Sequence, residues 1–105
     1  MGRTTVSEDG RFEWDEEKSR SNRRKHGISF DEILEVFDDP AFLEGYDREH
    51  SRTEDRRYYG IGCIGGILCV IVFYTMYGRV RIISARQADG EEREEYDDYF
   101  KETKS

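Results

Sequence analysis

Asn22, Lys25 and His26 stand three and four residues apart, the spacing at which a helix brings side chains onto one surface. An amide, an ammonium and an imidazole grouped this way suit RNA cleavage without metal. A general base takes the 2′-hydroxyl proton, cations stabilise the crowded phosphorane, and an acid protonates the leaving oxygen. Histidine is the side chain best matched to that proton traffic near neutral pH. A second basic group, Arg79, Arg81 and Arg86, offers guanidiniums that hold phosphate in a fixed fork. Arg56 and Arg57 are weaker members of the same class, and Tyr74 and Tyr77 border the turn before Arg79 and could stack on bases. Each group also has a plain structural explanation. Lys25 and His26 complement a helix dipole, the arginines can pair with acids of the C-terminal segment, and tyrosines at strand ends pack. His50 lies in an acidic loop, and Asp38-Asp39 and Asp97-Asp98 read as helix termination and solvated charge rather than a metal site. No cofactor is expected.

The elements that must position these groups are legible in outline. DEEKSRSNRRKH, residues 15–26, holds no apolar residue. Yet Asp15 is an N-cap, Glu16 and Glu17 suit the positive end of the dipole, Arg24 to His26 suit the negative end, and Gly27 is a left-handed stop. Such a helix must be anchored at its ends, by Phe12 and Trp14 on a short strand before it and by Ile28 and Phe30 after it. Ser29 with Glu32 forms a capping box for a second helix with Phe30, Ile33, Leu34 and Phe37 on its core face, ended by Asp38-Asp39-Pro40. A strand over residues 41–46 and a solvated loop over 47–55 follow.

Residues 57–85 read as a three-strand meander broken at Gly65-Gly66 and Tyr77-Gly78. Its middle strand, ILCVIVFY, is apolar throughout until the tyrosine, so both faces should be covered. Simple alternation in RVRIISAR puts Arg79, Arg81 and Ile83 on one face and Val80, Ile82, Ser84 and Arg86 on the other. Asp89 with Glu92 opens a terminal helix that packs through Tyr96, Tyr99 and Phe100.

The chain has 105 residues, the size of one domain. Residues 1–11 read as a disordered tail, 12–100 as the domain and 101–105 as a C-terminal tail. Charged residues make up 39%, but six Phe, seven Tyr and one Trp supply an interior. The net charge of −7 argues against non-specific coating of nucleic acid, which draws on Lys and Arg, and favours a basic partner. No segment is apolar enough to span a bilayer, and the N-terminus has no apolar core for export, which points to the cytoplasm. A two-residue loop at Gly65-Gly66 puts Cys63 and Cys69 on opposite sheet faces, whereas a three-residue loop aligns them. Two free thiols are the expectation for a reducing cytosol.

Two segments carry a resemblance. FEWDEEKSRSNRRKHGISFDEILEVFDD resembles the opening of the BrnT toxin family in Phe12, Trp14, Asp15, Lys18, Asn22, Lys25, His26, Gly27, Ser29, Phe30, Val36, Phe37 and Asp39. GRVRIISARQA, preceded by RRYYGIG, is similar to the family's R-I-I-S-A-R-x-A signature. Met76 departs from the charged residue often found there. The resemblance implies an α+β fold similar to RelE-type toxins, a small antiparallel sheet with helices packed against it. It also implies a metal-independent endoribonuclease that arrests translation and is silenced by a BrnA-like ribbon-helix-helix antitoxin, through which alone the complex reaches DNA. Carried over, Lys25, His26, Arg57, Arg81 and Arg86 are the candidate catalytic residues, with Asn22, Arg79 and Tyr77 as substrate contacts. The alternative is a catalytically weak module that serves as corepressor with the antitoxin.

Overall fold

The computed structural model describes residues 3–52 and 55–104, the last by its backbone alone. Residues 1–2 and 105 of the expected tails, and 53–54 of the acidic loop, lie outside the described residues. Six strands form one sheet in the order β1-β2-β6-β5-β4-β3: β1 Thr4–Val6, β2 Phe12–Asp15, β3 Leu43–Tyr46, β4 Tyr58–Ile64, β5 Leu68–Tyr77 and β6 Arg79–Gln87. Helices α1 (Glu16–His26) and α2 (Gly90–Lys104) flank it, with a 3-10 helix at Asp31–Asp38. The architecture is α+β, and the sheet is antiparallel except where β2 runs parallel to β6.

Strand alternation sorts the apolar residues onto two faces. Val70, Val72, Tyr74, Ile82 and Ala85 face one side, where Phe12, Trp14, Ile28, Phe30, Ile33 and Val36 bury them. Ile61, Cys69 and Ile71 face the other, under Tyr96 of α2. The all-apolar centre of β5 is covered on both sides, as its composition requires. Gly60 lies where the Phe42 ring fills the space a Cβ would take.

Several expectations need correction. The N-terminal segment is not frayed from residue 4: β1 pairs antiparallel with β2, and the turn is closed by Ser7 and Asp9 side chains and by Gly10 at φ 76°. At the other end α2 continues to Lys104, through residues expected to form the C-terminal tail. The second helix is 3-10, because its buried residues Phe30, Ile33 and Val36 repeat every three positions. Only half of the expected box forms: the Ser29 N–H donates to Glu32 Oε1, but the Ser29 hydroxyl donates to the same carboxylate oxygen, and the helix N-cap is Phe30, with no side-chain cap bond. Cys63 and Cys69 are neither free nor on opposite faces. The turn between β4 and β5 takes three residues, 65–67, so Cys63 stands directly opposite Cys69 and the two form a disulfide.

Candidate functional site

The polar helix forms as its end signals dictate. Asp15 Oδ1 accepts from the N–H groups of Glu17 and Lys18 at 2.8 and 3.3 Å, and Gly27, at φ 78°, donates its N–H to Arg23 O at 2.8 Å. Its packing face consists of two small polar residues, Ser19 and Asn22. Ser19 Oγ accepts the Phe30 N–H at 2.9 Å. The Asn22 amide donates to Ile28 O at 2.9 Å and Ala85 O at 2.7 Å, and accepts from the Ala85 N–H at 3.2 Å. β2 pairs with β6 only as far as Ile82, so beyond that point the Asn22 amide takes over the role of a neighbouring strand. Asn22 therefore does not join Lys25 and His26 on an exposed surface. It is buried and fully engaged, while Lys25 and His26 are exposed on the last turn. Arg86 follows Ala85 directly, so the basic end of α1 is tied to β6 one residue from Arg86.

The arginines of β6 share a face that simple alternation does not allow. Phe73 pairs with Ser84 but Tyr74 with Ile82, which leaves Ile83 as an extra residue, a β-bulge. The bulge resets the phase, so Arg86, opposite Ile71, joins Arg81 and Arg79, opposite Thr75 and Tyr77. All three lie on the α2 side of the sheet.

Each arginine has a carboxylate beside it. Arg81 Nη1 lies 2.5 Å from Glu13 Oε2, and Arg79 Nη1 lies 3.9 Å from Glu13 Oε1 while its Nε donates to Gly10 O at 3.1 Å. Arg86 closes a bidentate pair with Glu92 at 2.7 and 2.8 Å. That hydrogen bond raises the guanidinium above its ordinary range and lowers the Glu92 carboxyl below its own. Arg86 also opens onto a groove of about 400 Å³ floored by Tyr59 and Phe73 and rimmed by Asp47, Glu49, His50 and Glu95. Arg57 Nη2 stands 3.5 Å from Asp55, its backbone is held by Ser51 Oγ, and its Nε is buried without a hydrogen-bond partner among the described residues. Tyr77 is 65% exposed at the β5–β6 turn. Tyr74 cannot stack on a base: it is fully buried and donates to Glu44, and burial foremost, with that bond, raises its phenol above the ordinary value. His50 is exposed and pairs with Asp47 at 3.0 Å.

The structure thus assembles Arg79, Arg81 and Arg86 on the α2 face of the sheet, while Lys25 and His26 end a helix whose buried Ser19 and Asn22 bond to Phe30, Ile28 and Ala85 of the core on the other face. No hydrogen bond or ion pair joins the two groups among the described residues. Sequence reasoning missed Glu13 and Ser19. Glu13 had a signal, because it alternates with Phe12 and Trp14 and must face away from their core, but its pairing with β6 was not readable.

The family model for the BrnT ribonuclease toxin of type II toxin-antitoxin systems matches residues 14–92. The chain belongs to the BrnT toxin family. Among solved structures, the crystal structure of the Brucella abortus ribonuclease toxin BrnT is similar, with a TM-score of 0.57 and 26% identity over 72% of this chain and 92% of that chain. No curated protein matches. The BrnT match includes α1, the meander and the start of α2, and with them Lys25, His26, Arg57, Arg79, Arg81 and Arg86. β1 and Glu13 precede it. Membership in a type II BrnT family implies an antitoxin partner, and no described helix is long and apolar enough to cross a membrane.

Proposed function

We propose that the chain is a metal-independent endoribonuclease that arrests translation in the cytoplasm, built on a RelE-like frame. The observation that carries this reading is the row of Arg79, Arg81 and Arg86 on one face of β6, within a family of ribonuclease toxins. His26 transfers the proton between the 2′-hydroxyl and the leaving 5′-oxygen, and Lys25 offsets charge on the phosphorane. Attack of the 2′-oxygen on phosphorus and departure of the 5′-oxygen leave a cyclic phosphate. Arg81 and Arg86 hold the phosphate, Arg57 supports them, and Arg79 and Tyr77 contact the flanking nucleotide. Asn22 belongs to the scaffold that holds the basic turn. A BrnA-like ribbon-helix-helix antitoxin neutralises the toxin in a hetero-oligomer and alone contacts DNA.

Because Lys25 and His26 are exposed, His26→Ala and Lys25→Ala are expected to leave the melting temperature within about 2 °C. Each should cut RNA cleavage at least about a hundredfold. A wild-type chain that neither cleaves RNA nor halts growth would overturn the reading. The second reading, a corepressor module without chemistry, is favoured by the carboxylate beside each candidate arginine. It requires operator binding by the toxin-antitoxin pair with undiminished affinity when His26 and Lys25 are replaced.

A further inference from the structure

The contacts of Glu13 have a use beyond closing the sheet. We propose that Glu13 attenuates the site from within: its carboxylate occupies the anion position of an Arg79–Arg81 clamp, and the phosphate of the flanking nucleotide must displace it. This rests on the ribonuclease reading. Phe12 and Trp14 turn into the core, so Glu13 is forced onto the arginine face, directly opposite Arg81 in the parallel pairing. Its two oxygens divide between the two arginines, Oε2 at 2.5 Å from Arg81 and Oε1 at 3.9 Å from Arg79. Two phosphate oxygens would bridge the same guanidiniums in the same way.

The hold is of the exchangeable kind. Arg81 is met through one nitrogen, and the Arg79 contact is long with the Arg79 side chain 49% exposed, conditions under which an ion pair is weak. The Arg86–Glu92 pair is the contrast, with two short parallel bonds. Of the two anions on this face, Glu13 is the one a phosphodiester can replace without breaking a bidentate pair.

The test is binding of a short 2′-O-methyl RNA, which cannot be cleaved, to the full chain by fluorescence anisotropy. Glu13→Gln, which keeps the shape and removes the charge, is expected to tighten binding about fivefold. Arg81→Ala should weaken it, and Glu13→Gln added to Arg81→Ala should give no gain. Glu13→Thr, a strand-favouring replacement, must repeat the gain, which covers a failure of the first variant to fold. Glu13 variants that bind no tighter, or a gain that persists without Arg81, overturn attenuation. If unmodified RNA is still cleaved by the wild type, the ribonuclease reading survives that result. If no variant binds and no RNA is cut, both fall.

Discussion

The Asn22 amide is the joint most open to a quantitative test. It satisfies three buried backbone groups, the carbonyls of Ile28 and Ala85 and the N–H of Ala85, and is itself 5% exposed. Asn22→Ala strands all three. At ~1 kcal/mol for each group left without a partner, the loss is about 3 kcal/mol. That is a large share of the ~5–15 kcal/mol that holds a domain of this size. Asn22→Asp separates hydrogen bonding from packing. Its carboxylate can still accept the Ala85 N–H but faces two carbonyl oxygens with no donor, so it should cost at least as much at pH 7. Burial and those oxygens raise its folded pKa above the unfolded value, so folded protein binds the proton more tightly. Part of the loss must therefore return as pH falls toward ~4. Urea unfolding followed by circular dichroism reads both effects as shifts in midpoint. An Asn22→Ala loss below about 0.5 kcal/mol, or an Asn22→Asp chain that weakens further on acidification, would refute the claim that this amide stands in for a strand.

Asp39 and Glu92 tie α2 to the rest of the fold. Burial pushes the Asp39 carboxyl up, but hydrogen bonds from the Tyr96 hydroxyl and from the Cys63 and Ala41 N–H groups outweigh it and leave it below its ordinary value, while the Arg86 hydrogen bond chiefly lowers Glu92. Both carboxyls thus contribute stability that is complete above their unfolded values near ~4 and is lost as pH falls below them. Urea midpoints from pH 6 to 3 should show this loss, and Tyr96→Phe should flatten it. Reducing the Cys63–Cys69 bond, which closes a short loop, is expected to cost about 2 kcal/mol by chain entropy, measured as a lower midpoint in a dithiol reductant. Gly60→Ala must push aside the Phe42 ring and should cost about 2 kcal/mol, read as a lower melting temperature.

Local signals in the sequence served best where a residue speaks for itself. Asp15, Gly27 and the Asp89–Glu92 box all sit at the helix ends they announce, with Asp89 and Glu92 each accepting the other's N–H at 2.9 Å. The apolar run of β5 lies at the covered centre of the sheet. What the sequence left hidden depends on partners distant in the chain. Nothing in Phe12-Glu13-Trp14 says that it runs parallel to β6, and nothing in RVRIISAR marks Ile83 as an extra residue, so the face of Arg86 was misread. The cysteines turned on one residue of loop length. Asn22, grouped with Lys25 and His26 by spacing alone, is turned inward because β6 leaves Ala85 without a strand beside it.

The parallel pairing of β2 with β6 also sets an order of events. Glu13 and Arg81 are 68 positions apart, and α1 reaches its anchor at Ala85 only when that strand exists. A growing polypeptide that has not yet made β6 therefore has no arginine row and no support for its basic helix. On the site proposed above, ribonuclease activity cannot emerge piecemeal during synthesis. It arrives only once the late strand has been laid against the early one.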